Sequence, residues 1–201
     1  MTSLTDPENT TRSTPNISAA DATLHLGSST FIAAPPSHVW EVLTDTSTWP
    51  AWNTFVPRVT IRSQPDGPAA APLSPVLRAG TKITFHVCMD PAASKPQPPA
   101  DTHLIVTEAV APNPGAGSPG RIIWVTDPDA PGAFWRSLLN AERVHELKEV
   151  EGGTEVRNWE CQKGYLVHVV KWMYGSLLRT NFQRWVEGLK AQAETGQSAT
   201  E

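Results

Sequence analysis

The sharpest pattern in the chain is the alternation over Lys82–Met89. Ile83, Phe85, Val87 and Met89 fall on one side; Lys82, Thr84, His86 and Cys88 fall on the other. A period of two predicts a strand with one buried face. Comparable runs predict strands over Ala22–Ala33, Val56–Arg62, His103–Ala111, Arg121–Thr126, Arg143–Val150 and Thr154–Lys163. The last two flank Glu151-Gly152-Gly153, a hairpin signal. Elsewhere the period lengthens to that of a helix. Pro36–Thr44 predicts a short helix with Pro in its first turn and Val39, Trp40, Val42 and Leu43 as its apolar face, so Trp40 is expected in the core. Asp45 is expected to cap a second short helix over Trp49–Trp52. Leu166–Glu194 predicts one long helix, roughly 40 Å from end to end. Gly196 stands just beyond it as a stop.

This order is a strand, two short helices, a run of about six strands and a closing helix. It predicts an α+β fold. Consecutive strands joined by turns make an antiparallel sheet, and only the last helix is long enough to cover its apolar face. A sheet curled around one helix leaves a gap, and that gap is the candidate pocket.

Composition bounds the organisation. The chain has 201 residues, 39% hydrophobic and 18% charged, which is enough for one sizeable core. Residues 1–20 are polar and aperiodic and are expected to be a disordered tail. They lack the apolar run of a signal peptide and the arginines of a transit peptide, so a cytoplasmic location is expected. The sequons at Asn9 and Asn16 then read as chance matches. Residues 21–195 form the expected domain and 196–201 a frayed end. Ser63–Ala79, Asp90–Ala100 and Ala111–Gly120 are rich in Pro, Ala and Gly and read as long loops within that domain. Acids outnumber bases 20 to 16, which argues against a nucleic-acid partner. No apolar run is long enough for a membrane span. The two cysteines, Cys88 and Cys161, are far apart and form no CxxC pair, so neither a disulfide framework nor structural zinc is expected. The 8 Trp outnumber the 5 Phe and suggest flat aromatic walls around a core or a pocket.

The hairpin turn fixes a register. With Glu151-Gly152 as the turn, Val150 faces Gly153, Leu147 faces Val156, His145 faces Asn158, and Arg143 faces Glu160. Leu147 and Val156 mark this face as buried. Arg143, His145, Asn158 and Glu160 should therefore project into the interior, while Val144, Glu146, Lys148, Glu155 and Arg157 point to solvent. Two readings of the inward cluster stay open. In one, an Arg143–Glu160 ion pair and a His145–Asn158 hydrogen bond hold the sheet. In the other, the cluster is the polar end of an apolar pocket. His145 or Glu160 would then give or take a proton, and Arg143 would steady an enolate or carboxylate.

His86 shares its face with Thr84 and Cys88 and can be a pocket or a surface residue. His25, His38 and His103 read as structural or solvated, with no metal-ligand spacing. Cys161 falls on the outward face of its strand and does not read as a nucleophile. On the long helix, Tyr174, Leu178, Phe182, Trp185 and Leu189 make one stripe, expected as core toward its C-terminal end. Tyr165, Trp172 and Tyr174 toward the N-terminal end are candidate ligand contacts. Trp124 and Trp135 are candidates for the pocket mouth, with 126–140 as a gating loop. No Walker loop, GxGxxG or Gly-x-Ser-x-Gly elbow is present, so no cofactor is expected.

Three segments together carry a family resemblance. Phe31-Ile32-Ala33-Ala34-Pro35-Pro36-Ser37-His38-Val39-Trp40-Glu41-Val42-Leu43-Thr44-Asp45 resembles the opening strand and helix of the START-like (SRPBCC) superfamily. Trp49-Pro50-Ala51-Trp52-Asn53 is similar to its following segment. Gly152-Gly153-Thr154 through Glu160, then Gly164 and the long helix, resemble its closing hairpin and lid helix. The resemblance covers about residues 22–194. It implies the helix-grip fold, a curved antiparallel sheet wrapped around the C-terminal helix. It also implies a ligand-handling protein such as a polyketide cyclase, an allergen-type carrier or a coenzyme Q-binding protein. Several relatives carry His then Glu two residues apart on the last strand; here the corresponding positions are Asn158 and Glu160. A role that needs that His meets an Asn instead.

Two functions from different classes follow. One is a cofactor-independent cyclase, dehydratase or isomerase acting on a polyketide-like or aromatic substrate. The other is a carrier of a lipid, quinone or other apolar ligand. In both cases the partner is a hydrophobic small molecule, and the protein is a monomer or homodimer. Four inward polar residues favour the enzyme, since a carrier needs few.

Overall fold

The computed structural model describes residues 11–65, 72–94, 100–131 and 138–195. Its elements are β1 (Leu24–Ile32), α1 (Pro36–Thr44), α2 (Trp49–Trp52), β2 (Arg58–Ser63), β3 (Lys82–Val87), β4 (Ala100–Val110), β5 (Gly120–Thr126), β6 (Asn140–Val150), β7 (Gly153–Lys163) and α3 (Tyr165–Thr195). One seven-stranded sheet runs in the order β1-β7-β6-β5-β4-β3-β2, with every pairing antiparallel. α3 is one unbroken helix of 31 residues lying against the concave face. This is the helix-grip fold.

The hairpin register is as the alternation requires. Val150 pairs with Gly153, Leu147 with Val156, His145 with Asn158 and Arg143 with Glu160. Gly152 closes the turn at φ +79°, a conformation that L side chains resist. A second glycine sets the helix against the sheet end. A Cβ at Gly188 would lie 2.4 Å from the Trp52 carbonyl oxygen, so only Gly lets α3 approach α2 this closely.

Aromatic rings fill the space between α2 and α3. Trp49 is fully buried and meets Trp185 edge-on at 4.9 Å and Phe85 at 5.4 Å. Its Nε1 donates to the Leu43 carbonyl at 3.2 Å. Trp40, expected in the core, is only half-buried at the core's edge. The helical wheel explains the difference: Val39, Val42 and Leu43 cluster on one side, and Trp40 falls about 100° from Val39, on the flank. Asp45 does not cap α2. It ends α1, and its carboxylate accepts from the Ser47 amide and hydroxyl. Thr48 holds the N-cap position of α2.

Residues 11–20, expected to belong to a disordered tail, pack on the convex face; 1–10 lie outside the described residues. Ile17 is fully buried. The Asn16 amide and side chain both donate to the Glu142 carboxylate, at 2.8 and 2.7 Å. Arg12 lies over the Trp159 ring at 4.8 Å, and Trp159 Nε1 donates to the Ser13 carbonyl. Beneath this strap Ile123, Val144 and Trp159 form a small second core. Val144 is therefore buried, although its strand position points away from the main core. The polar composition of the strap hid this role, because its anchors are backbone groups, the polar side chains of Arg12 and Asn16, and a single isoleucine.

Candidate functional site

A cavity of about 330 Å3 opens between the sheet and α3. The sheet side and the loop before β2 supply Phe55, Val56, Phe85, Val87, Leu104 and Trp124. The helix supplies Val170, Tyr174, Leu178 and Phe182 from one stripe. These walls are apolar; Arg143, Glu160 and Gln162 interrupt them on β6 and β7, and Asp101, Thr102, His103, Thr126 and Asp127 add polar groups toward the β4–β5 end.

The strands bring Arg143, Glu160 and Gln162 together by alternation. Arg143 faces Glu160 across the β6–β7 pair, and Gln162 follows Glu160 on the same face of β7. Arg143 is buried, and its Nε donates to Asn158 Oδ1 at 2.9 Å. Asn158 Nδ2 donates to Ser28 Oγ at 3.2 Å, and Ser28 Oγ donates to the Phe182 carbonyl at 2.9 Å. A polar chain thus runs from β6 through β7 and β1 to α3. The guanidinium also lies over the rings of Phe182 and Trp185, at 4.1 and 4.2 Å from their centroids. Arg143 Nη2 has no hydrogen-bond partner among the described residues.

The ordinary charge states bend accordingly. Burial lowers the Arg143 pKa to about 10, with Glu160 opposing the shift, so the group remains a cation. Burial raises Glu160 above the usual carboxylate range, while the Arg143 charge and a hydrogen bond from Gln162 hold it back. Burial and then the Arg143 charge depress His145 well below its usual value, so it is a neutral imidazole.

The four inward candidates do not share one environment. Arg143 and Glu160 line the cavity; Asn158 and His145 are not among its lining residues. His145 is fully buried, with its ring 4.6 Å from Trp124 and 5.4 Å from Trp185. Neither ring nitrogen has a partner among the described residues. The expected Arg143–Glu160 and His145–Asn158 pairs are cross-strand neighbours, but the direct partner of Arg143 is Asn158.

The ligand-contact candidates divide in the same way. Trp124 and Tyr174 line the cavity, Trp124 as a buried wall rather than a mouth. Tyr165 and Trp172 do not; they are 77% and 84% exposed on the far side of α3. Helix geometry is the reason, since both fall nearly opposite Tyr174 at about 100° per residue. Trp135 lies outside the described residues. His86 sits on the convex face of the sheet, bonded to Thr60 Oγ1 and to Asp101 Oδ1, each at 2.8 Å. Cys161 is buried under the strap, where burial pushes its thiol up to about 11. No three His, Cys, Asp or Glu side chains converge as a metal site among the described residues.

The model of the polyketide cyclase / dehydrase and lipid transport family matches residues 23–194. The chain belongs to this family. It is also 46% identical over 156 residues to the Oxopyrrolidines biosynthesis cluster protein O of Penicillium oxalicum, covering 74% of this chain and 75% of that one. Among solved structures, a hypothetical protein of Helicobacter pylori aligns at TM-score 0.65 and 14% identity over 86% of this chain and 89% of its own. The Zhui aromatase/cyclase from Streptomyces sp. R1128 aligns at TM-score 0.55 and 13% identity over 85% and 93%. A START superfamily protein from Mycobacterium smegmatis aligns at TM-score 0.54 and 12% identity over 85% and 97%. At these identities the structural matches establish the shared fold. Family membership brings hydrophobic small-molecule binding with it, and no helix among the described residues is long and apolar enough to cross a membrane.

Several residues in and around the cavity carry little signal in the sequence. Gln162 was legible in principle, two residues beyond Glu160 on the same face. Ser28 was not, because its place depends on the long-range pairing of β1 with β7. Phe182 and Trp185 read as core, and they are core; their second role, sandwiching a cation, has no pattern in sequence.

Proposed function

We propose that the cavity binds a polyketide-like substrate whose carbonyls stand in 1,3-relation and closes it into a ring without a cofactor. One observation carries this reading: Arg143 is a buried cation in the cavity wall with Nη2 unpaired, beside a carboxyl whose pKa burial raises. A buried donor with no partner is expensive to keep unless a ligand completes it. The family's cyclase and dehydrase members support the reaction class. The Penicillium relative, whose name places it in an oxopyrrolidine biosynthesis cluster, supports a secondary-metabolite substrate.

The roles follow from charge. Glu160, in its ionised form, takes a proton from a carbon flanked by two carbonyls. The enolate oxygen rests against Arg143. The enolate carbon attacks a second carbonyl of the same molecule, forming one carbon–carbon bond as one carbonyl π bond opens. Glu160 returns the proton to the new alkoxide. Glu160, ionised again, then takes the remaining proton from the carbon that attacked; a carbon–carbon double bond forms as the carbon–oxygen bond breaks, and the hydroxyl leaves with that proton as water, giving the dehydrated ring. No oxidant or reductant is needed. A raised Glu160 pKa suits a group that must both take and give a proton near neutral pH. Asn158 orients Arg143, and His145 packs behind it as a neutral aromatic.

Most of the remaining wall, from Phe55, Val56 and Phe85 to Leu178 and Phe182, is apolar, and that favours the second reading, a carrier of an apolar ligand. Incubating the protein with a linear poly-β-keto thioester and following the product by mass spectrometry separates the two. The cyclase reading requires a ring product, isomeric with the substrate or short of one water, that Arg143→Met no longer forms. A ligand retained through native mass spectrometry and released unchanged would establish the carrier instead.

A further inference from the structure

We propose that the outer face of the first turns of α3 docks on an anionic lipid surface. Tyr165, Val169, Trp172 and Met173 are 77%, 49%, 84% and 51% exposed. Tyr165, Val169 and Trp172 follow the spacing of a single helical stripe, with Met173 at its edge. The stripe lies back to back with Val170 and Tyr174, which line the cavity. The other large exposed hydrophobics among the described residues are Phe31, Leu73, Val76 and Val110, scattered over separate strands and loops.

Charge supports the same assignment. The chain carries −4 overall, yet no Asp or Glu stands between Glu160 and Glu187. Lys163, Lys171, Arg179 and Arg184 fall within that run. Lys171 and His168 are exposed beside the stripe. Exposed Trp and Tyr rings on a helix with flanking cations match the headgroup zone of an anionic membrane. The patch offers about 500 Å2 of apolar surface, short of the roughly 800 Å2 per partner of a stable protein interface. Shallow insertion into headgroups needs no more. The helix is already formed, so docking requires no folding. Docking would also bring the cavity within one helix diameter of a reservoir of apolar molecules, a consequence that rests on the cavity being the ligand site.

Co-sedimentation of the full chain with phosphatidylcholine vesicles holding roughly a third phosphatidylserine tests this. The proposal expects binding to these vesicles, weaker binding to pure phosphatidylcholine, and loss with added salt. Trp172→Ala should weaken binding at least about tenfold with an unchanged melting temperature, since the ring is exposed. Lys171→Glu should weaken binding to the anionic vesicles alone. Arg143→Met should bind vesicles as the wild type does, which keeps this test separate from the cavity's function. No preference for anionic vesicles, or equal binding by Trp172→Ala, overturns the proposal. So does a chain that ignores vesicles and instead binds an acidic protein through Trp172, which would make the patch a protein interface.

Discussion

The two faces of the sheet each pair a histidine with a polar neighbour across strands, and they treat it in opposite ways. On the convex face, His86 bonds Thr60 through one ring nitrogen and Asp101 through the other. Thr84 and His103 continue the ladder at 2.9 Å. Every ring nitrogen of His86 is satisfied, and Asp101 is half open to water. On the concave face, His145 has no partner on either nitrogen, and Arg143 Nη2 has none. Similar residue types thus serve two ends. A satisfied ladder stabilises a sheet. An unsatisfied polar group in an apolar cavity is kept at a stability cost, and function is the usual reason.

The comparison breaks most visibly at Arg143. Arg143→Met keeps most of the volume and removes the charge that would face an enolate. We expect turnover to fall at least about 100-fold, with the melting temperature held, because a desolvated cation is lost along with its bonds. A kinetic assay beside a thermal melt checks this. Asn158→Leu comes next. It strips Arg143 of its acceptor and Ser28 of a donor, and should cost about 1–3 kcal/mol in urea unfolding. His86→Gln on the convex face should stay within about 1 kcal/mol and leave turnover unchanged, since its partner Asp101 is half open to water and His86 does not line the cavity.

The pH dependence sharpens the contrast further. His145 is depressed below 6.5 by burial, so its contribution is present above that pH and is lost as pH falls. Glu160 is raised above 4.5, so in the window upward from there the folded state holds more protons than the unfolded one. Its contribution is present at low pH and is lost as pH rises. The two slopes oppose each other. His145→Phe should flatten the acid-side loss, and Glu160→Gln the opposite slope, in melting temperatures taken from pH 4 to 8. Parallel curves for all three proteins would contradict the buried environments of both groups.

Much of this contrast was written in local patterns. The β6–β7 register followed from alternation and one turn, and it brought Arg143 and Glu160 to the same face. Pro36 set the start of α1, and the apolar stripe of α3 identified Leu178, Phe182 and Trp185. What escaped depended on contacts distant in sequence. The strap over Trp159 looks like disordered composition because it is held mostly by backbone groups and polar side chains, with Ile17 its one large apolar anchor. Arg143 takes Asn158 rather than Glu160 because Ser28 of β1 fixes the amide. Tyr165 and Trp172 share the aromatic character of Tyr174, but the helix turns them to the other side.

Glu160→Gln tests the central claim most directly, because it keeps size and the Gln162 contact while removing the ionisable group. Turnover of a poly-β-keto thioester and thermal stability should be measured on the same preparation. If Arg143 and Glu160 are a ligand-handling pair, turnover falls by about 100-fold or more while the melting temperature is unchanged or higher. If they are a structural ion pair, Arg143 is left buried and uncompensated, and stability drops by roughly 3–5 kcal/mol. That second result would contradict the account.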